Sequence, residues 1–289
     1  MEINSGTKLC CLLGHPVKHS ISPQLHNSAF RYLGLNMVYL SFDVEPKNLS
    51  RVVKGLRSLG VVGFNVTIPH KVSIIKFLDM LDLTSKETGA VNTVVLENKK
   101  LKGYNTDVEG IRKSLLDLEL EVNLRGRALI IGAGGAARAA IVALKLLGVK
   151  EMIIANRRIW KAAALARKFR KDGLKIKSIS LMDVKRYSKS ASIIINATPM
   201  GMWPHQDETP LYANDISSSS IVLDLVYNPL ETKLLREAKN AGAKTINGLK
   251  PLIEQAVKAF QLWTGLEPPR DLLWSVAEKA LESWRRNEE

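Results

Sequence analysis

Cysteine is scarce in this 289-residue chain, and its scarcity excludes several architectures. The only two, Cys10 and Cys11, are adjacent inside the apolar segment Lys8-Leu-Cys-Cys-Leu-Leu13, which reads as a buried first strand rather than a disulfide framework or a zinc motif. Long hydrophobic runs are missing too: none approaches the roughly 20 apolar residues that a membrane helix needs. The short apolar run before Gly14 lacks a basic leader and a small-residue cleavage site, so it does not read as an export signal. His15, His19 and His26 crowd one region and His70 lies further on, but no His-Glu-x-x-His spacing accompanies them. These absences lead to the expectation of a soluble, cytoplasmic protein that holds no metal and meets no membrane.

Acidic residues are the minority, 28 against 42 Lys and Arg, for a formal net charge of +14. Such an excess invites a nucleic-acid reading, but phosphate-backbone binding needs the cations clustered on one face. Here they are spread, with modest runs at Asn98-Lys99-Lys100, Asn156-Arg157-Arg158 and Arg167-Lys168-Phe169-Arg170-Lys171. The expectation is therefore a solvated basic surface that attracts anionic small molecules, without a nucleic-acid partner.

What the chain does contain is alternation of short strands and helices, and its length fits two domains. Strands are expected at Leu9–Leu13, Met37–Asp43, Val61–Asn65, Val91–Leu96 and Leu101–Gly103. Helices are expected at Ser22–Leu33, after Pro46 and after Pro69. A helical stretch, Asp107–Leu118, leads into a second alternating unit with more continuously apolar strands: Ala128–Ile131, Glu151–Ala155, Ala191–Asn196, Ile221–Leu225 and Lys244–Ile246. Near-continuous apolar strands belong in a parallel sheet covered on both faces. From about Pro251 two helical stretches follow, interrupted by Gly265 and Pro268-Pro269. The fold expected is α/β with two domains: 1–106, completed by C-terminal helices in 251–289, and a Rossmann-type doubly wound domain, 107–250.

Strand Arg127-Ala-Leu-Ile-Ile131 is followed by Gly132-Ala-Gly-Gly-Ala-Ala-Arg138 and an apolar stretch ending at Gly148, the context of a dinucleotide fingerprint. Gly132 permits the tight turn, Gly134 lets the backbone approach a pyrophosphate, and Ala137 stands where the third glycine allows close packing of helix and strand. Taken alone, the motif is also met as a structural turn. The next strand ends in Asn156-Arg157-Arg158, where NAD-binding proteins present an acidic residue to the ribose. Two guanidinium groups, with Lys161 beyond them, suit a 2′-phosphate instead, so NADP is expected over NAD.

Four further segments place polar groups just after apolar strands, where α/β sheets build ligand sites: Gly14-His-Pro-Val-Lys-His-Ser-Ile-Ser-Pro23, Asn65-Val-Thr-Ile-Pro-His-Lys71, Gly89-Ala-Val-Asn-Thr93 and Gly103-Tyr-Asn-Thr-Asp107. With the glycine fingerprint, Asn196-Ala-Thr-Pro-Met-Gly-Met202 and Gln255-Ala-Val-Lys-Ala-Phe-Gln-Leu-Trp-Thr-Gly265, the ordered set resembles the shikimate dehydrogenase family over nearly the whole chain. The resemblance implies NADPH-dependent reduction of 3-dehydroshikimate to shikimate, on the route to chorismate and the aromatic amino acids. It implies that Ser20 and Ser22 bind the substrate carboxylate, with Thr67, Asn92, Asp107, Tyr227 and Gln255 around the ring hydroxyls and carboxylate. Lys71 and Asp107 match the catalytic pair. Gly132, Ala133, Gly134, Gly135, Ala136 and Ala137, with Asn156, Arg157, Arg158 and Lys161, match the NADP-binding segments. Thr198, Met200, Met202, Leu225 and Gly248 match the nicotinamide side.

The chemistry agrees with that assignment. Hydride delivery to a ketone leaves charge on oxygen, so a positive group that also donates a proton is needed there. Lys71 has both properties, and a carboxylate such as Asp107 can orient it. No metal is required, because the cofactor carries the hydride. Without the resemblance, Lys71 reads as a surface lysine, Asp107 as a helix cap, Met200 and Met202 as core filling, and Tyr227 as a half-buried aromatic.

Two positions depart from the pattern: Arg158 stands where many members have threonine, and Lys250-Pro251 where a methionine-containing turn is common. Pro251 suits the first turn of a helix, with Gln255 about one turn in. A quinate/shikimate dehydrogenase is the alternative within the enzyme class, and a non-catalytic basic nucleotide- or nucleic-acid-binding protein the alternative outside it. A homodimer is among the states open to the chain.

Overall fold

The computed structural model describes residues 2–116, 126–170 and 173–286, with side chains as far as Ser283. These residues form two compact units: the first takes the chain up to Thr106 and again from Ile253, and the second runs from Asp107 to Leu252.

The first unit is built on six strands: β1 (Lys8–Gly14), β2 (Met37–Asp43), β3 (Gly63–Val66), β4 (Met80–Leu81), β5 (Thr93–Glu97) and β6 (Lys100–Tyr104), in the order β2-β1-β3-β5-β6-β4. β1 pairs in parallel with β2 and β3, whereas β5 runs antiparallel to β3 and to β6. The β5–β6 hairpin turns through Asn98 and Lys99, both at positive φ, the backbone that a two-residue type I′ loop demands. Helix α1 (Ser22–Tyr32) starts with proline in its first turn and buries Leu25, His26, Ala29 and Phe30, one stripe of its surface. That stripe meets an aromatic core: the His26 ring stacks on Tyr39 at 4.6 Å and meets Trp263 edge-on at 5.1 Å, while Phe30 packs against Phe260.

The helix expected after Pro69 is not an α-helix. The chain makes a single 3₁₀ turn, Ser73–Phe77, because Val72, Ile74 and Ile75 are β-branched and crowd a continuing helix. The α-helix of this region lies later, at α3 (Leu83–Thr88), capped by the Asp82 side chain and ended by Gly89 at positive φ. After Pro46, a 3₁₀ turn precedes α2 (Leu49–Ser58).

The second unit has strands β7 (Ala128–Ile131), β8 (Glu151–Asn156), β9 (Lys175–Ser180), β10 (Ile193–Asn196), β11 (Ile221–Asp224) and β12 (Lys244–Ile246). Their order, β12-β11-β10-β7-β8-β9, is all parallel and reverses between β7 and β10, the arrangement of a doubly wound dinucleotide-binding sheet. Alternate residues serve two cores: Ala128 and Ile130 face one, with Met152, Ile193 and Leu223, and Leu129 and Ile131 the other, with Ile153, Ile194 and Val222. The first core takes Ile111 and Leu115 of α4 (Asp107–Leu116), alanines of α5 (Gly135–Leu146) and Leu165 of α6 (Ile159–Arg170); after the one-turn α7 (Lys185–Ser188), the second takes Leu234 and Leu235 of α8 (Lys233–Asn240). Residues 117 and 118 of the expected helix lie outside the described residues. No helix among the described residues is long and apolar enough to cross a membrane.

Helices α9 (Leu249–Thr264) and α10 (Arg270–Arg286) close the chain. Pro251 does sit in the first turn of α9, but Gln255 is its seventh residue, nearly two turns in rather than one, because the helix starts at Leu249. Arg270 clamps α10 to α9: its Nε and Nη2 donate to the two oxygens of the buried Glu254 carboxylate at 2.7 and 3.2 Å, and Nη1 donates to Glu267. Burial without that fork would strand a carboxylate beside Gln255. Arg270→Met is expected to lower stability by about 1.5–3 kcal/mol, read from denaturant midpoints. An unchanged midpoint would show the pair to be solvent-screened.

Candidate active site

The glycine segment leaves β7 at its carboxyl end. Gly132 has φ of +119°, and a side chain there would reach within 2.8 Å of the Ala197 carbonyl, so only glycine makes the turn that its N–H closes onto Ala155 O at 2.7 Å. Gly134 is the N-cap of α5 and is exposed, and a Cβ added to it would meet no atom within 4 Å. Ala137, by contrast, is fully buried in the core, where a small residue lets helix and strand approach. Open space lies in front of a helix N-terminus whose first N–H groups have no intrahelical partner, a setting that fits a pyrophosphate. Arg138 in the same turn is half-buried, and burial lowers its pKa. It stays cationic and adds charge to this edge.

β8 pairs with β7, so the turn at its end lies on the same edge of the sheet. Asn156 Nδ2 donates to Arg158 O at 3.0 Å and Lys161 N to the same carbonyl at 2.9 Å, which fixes the turn while Arg157, Arg158 and Lys161 stay exposed. Three cations and no carboxylate at this turn fit an NADP 2′-phosphate better than an NAD ribose.

On the other side of the reversal, β10 ends at Asn196 and leads into Ala197–Met202. Asn196 Oδ1 accepts from Thr198 N at 3.1 Å and Thr198 Oγ1 at 2.7 Å, and Thr198 Oγ1 accepts from Met200 N at 3.2 Å. Gly248 lies so close to the next loop that a Cβ there would come within 2.4 Å of Val226 O, so it seats against Leu225 and Val226. Met200, Met202, Leu225 and Tyr227 are half-buried. Burial pushes the Tyr227 phenol up to about 12 and the Asp224 carboxyl up to about 7, the latter opposed by hydrogen bonds from Thr232, Val226 and Asn196.

In the first unit, Ser20 Oγ donates to Ser22 Oγ at 3.2 Å, at the start of α1. Thr67 follows β3, its N–H on Leu13 O at 2.9 Å and its carbonyl accepting from His70 N at 2.8 Å. His70 is buried, and its Nε2 lies 2.6 Å from Val44 O, so that nitrogen carries the proton. Lys71 comes next, half-buried, its backbone carbonyl held by Val91 N at 2.7 Å. Asn92 Nδ2 donates to Thr106 Oγ1 at 2.9 Å and Gln255 Oε1 at 3.3 Å, and its Oδ1 accepts from Thr106 N at 2.7 Å. The fold thus joins Asn92 to Gln255, 163 residues apart. Asp107 opens α4, one residue after Thr106, and belongs with Tyr227 to the second unit.

Several buried groups that hold the candidate side chains were not singled out in the sequence. Tyr39 is fully buried; its hydroxyl donates to Asn65 Oδ1 at 2.7 Å and also bonds Ser22. Asn65 Nδ2 passes the chain to Asn92 O at 3.1 Å and Thr93 Oγ1 at 3.0 Å. A buried polar relay therefore runs from the serine pair to the Asn92–Gln255 pair. Asn65 and Thr106 fall inside segments already noted for their polarity, which was the available signal; Tyr39, alternating with apolar neighbours in β2, carried none. His15, weighed only as a metal ligand, instead pairs with Asp43, Nδ1 to Oδ1 at 2.5 Å.

Models of the shikimate dehydrogenase substrate binding domain, of shikimate/quinate 5-dehydrogenase and of the shikimate 5′-dehydrogenase C-terminal domain match residues 12–94, 116–211 and 248–278. The shikimate dehydrogenase (NADP(+)) of Methanocaldococcus jannaschii is 50% identical over 274 residues, 92% of this chain and 94% of the relative. A shikimate dehydrogenase crystallised with NADP+ superposes with a TM-score of 0.88 at 46% identity, covering 97% of this chain and 98% of the other. Shikimate 5-dehydrogenase from Thermus thermophilus, in complex with NADP(H) and shikimate, superposes at 0.85 with 36% identity, covering 95% and 100%.

Proposed function

This chain belongs to the shikimate dehydrogenase family, and on that premise we propose how its residues carry out the NADP-dependent, reversible reduction of 3-dehydroshikimate to shikimate. It is an oxidoreductase of the shikimate pathway, acting on a CH–OH group. The observation that carries the cofactor assignment is the open N-terminus of α5 at Gly134 combined with the acid-free Arg157–Arg158 turn one strand away.

Gly132 to Ala137 hold the pyrophosphate by backbone N–H groups, and Asn156, Arg157, Arg158 and Lys161 hold the 2′-phosphate end. Thr198, Met200, Met202, Leu225 and Gly248 border the nicotinamide. When bound, NADPH supplies the hydride. Ser20 and Ser22 donate to the substrate carboxylate, helped by Tyr227, and Thr67, Asn92 and Gln255 orient the ring hydroxyls. The relay through Tyr39 and Asn65 supports this reading, because it ties Ser22 to the Asn92 backbone and fixes the phenol and amide between them. Lys71 offers its ammonium to the ketone oxygen and transfers a proton as charge develops there, while Asp107 orients the ammonium and accepts from a substrate hydroxyl. The first unit is then the substrate unit and the second the cofactor unit.

The test is nicotinamide absorbance with purified protein, shikimate or quinate, and NADP or NAD, in all four combinations. Reduction with shikimate and NADP alone is the expected result; quinate turnover or equal use of NAD would move the assignment to the broader dehydrogenase. In the same assay Arg157→Ala should weaken NADPH binding by about 1.5–3 kcal/mol and leave NADH nearly unchanged. Equal loss for both cofactors would remove Arg157 from the 2′-phosphate.

A further inference from the structure

Asp224 is an acidic residue at the end of an otherwise apolar strand, Ile221-Val-Leu-Asp224, and it is wholly buried. It cannot touch substrate from there, and its partners are neutral donors: Oδ1 accepts from Asn196 Nδ2 at 2.9 Å and Val226 N at 3.0 Å, and Oδ2 from Thr232 Oγ1 at 2.7 Å. A buried carboxylate without a cation is expensive, so its retention calls for an explanation.

The geometry supplies one. Oδ1 takes two donors and carries no proton, so the Asn196 amide must present its NH2 group to Asp224. That choice turns Asn196 Oδ1 toward Thr198, whose N–H and hydroxyl it accepts, while the same NH2 reaches Met200 O at 3.1 Å. The other donors anchor the second loop: Val226 N sits between Leu225 and Tyr227, and Thr232 caps α8. One buried side chain thus orients both loops on the far side of the strand reversal. We propose that Asp224 is the positioning residue that sets these loops for hydride transfer, acting through Asn196 without contacting cofactor or substrate.

The inference rests on the reading that residues 198–202 and 225 border the nicotinamide. Adenosine 2′,5′-bisphosphate, which probes only the adenine end, separates positioning from general damage. In Asp224→Ala, kcat should fall about tenfold to hundredfold, with affinity for adenosine 2′,5′-bisphosphate within about twofold of the parent, since a small misplacement is felt at the reacting atoms alone. Asp224→Asn, which keeps an acceptor toward Asn196 and Val226, should restore most of kcat. If Asp224→Ala does not fold, Thr232→Val removes one donor to Asp224 together with the α8 cap, with little change of shape, and should lower kcat severalfold, again sparing the bisphosphate. Parental kcat in the folded variant, or parallel loss of kcat and bisphosphate affinity, overturns the proposal. Met200→Ala run alongside tests the underlying reading: an unchanged kcat there removes it, whereas a lowered kcat there with a parental Asp224→Ala removes only the inference.

Discussion

Replacing Lys71 with alanine should lower turnover by about 10²–10⁴-fold while the protein stays folded. The first half of that expectation follows from the reaction: a ketone that accepts a hydride must gain a proton, and of the side chains assigned to the substrate only Lys71 combines a positive charge with a proton it can release. The second half follows from the fold. Lys71 is anchored through its backbone carbonyl to Val91 N, and the neighbouring turn is held by His70 on Val44 and Thr67 on Leu13, none of which needs the ammonium. Lys71→Arg divides charge from proton transfer, because guanidinium keeps its charge and does not deprotonate in proteins. It should recover substrate affinity more than kcat. Steady-state kinetics with a melting curve for each variant checks both halves, and near-normal turnover in the alanine variant would take Lys71 out of the mechanism.

Acid should destabilise the first unit through His26. The imidazole is 2% exposed, Nε2 has no hydrogen-bond partner, and its ring faces are covered by Tyr39 and Phe260. Desolvation lowers its pKa from the ordinary 6.5 to about 3. The folded state therefore keeps His26 neutral where the unfolded chain already binds a proton. Its contribution is intact above pH 6.5 and is lost progressively as pH falls toward 3, at about 1.4 kcal/mol per pH unit, a total of several kcal/mol. Denaturant unfolding of the parent and of His26→Leu across this window measures it. The parent's stability should fall relative to the variant's by about that slope, whatever their offset at neutral pH, while parallel curves would show that His26 does not titrate in this range.

The two units were not equally readable. β7, β8, β10 and β11 announce themselves as unbroken apolar runs because both faces of each are covered, and the glycine turn is legible because Gly132 answers a backbone requirement that no other residue meets. β9 was not recognised: Lys175-Ile-Lys-Ser-Ile-Ser180 alternates polar and apolar residues, as a strand on the edge of a sheet can, and so lacks that mark. After Pro69 the local β-branched run outweighed an apolar pattern that suggested a helix. In the site, polar segments at the ends of strands stood out and the family resemblance named single residues within them, but neither showed how those residues pair. Thr106 and Gln255 meet across 149 residues, and Tyr39 enters the relay because β2 lies beside β1, a fact of sheet order rather than of local pattern. Asp224 carried the opposite lesson, a polar terminus of an apolar strand whose three donors come from a strand end, a loop and a helix cap.

The split composition of the first unit also orders events during synthesis. A chain emerging from the ribosome delivers His26, Phe30 and Tyr39 early, yet Phe260 and Trp263, which complete their core, follow the whole of the second unit; Trp263 Nε1 donates to Val94 O across 169 residues. The second unit is one uninterrupted stretch and can close as soon as it is made. Residues 1–106 must therefore wait with an open aromatic face until the second unit and the start of the returning segment have been made. The unit that is split in sequence is completed only after the unit that is continuous.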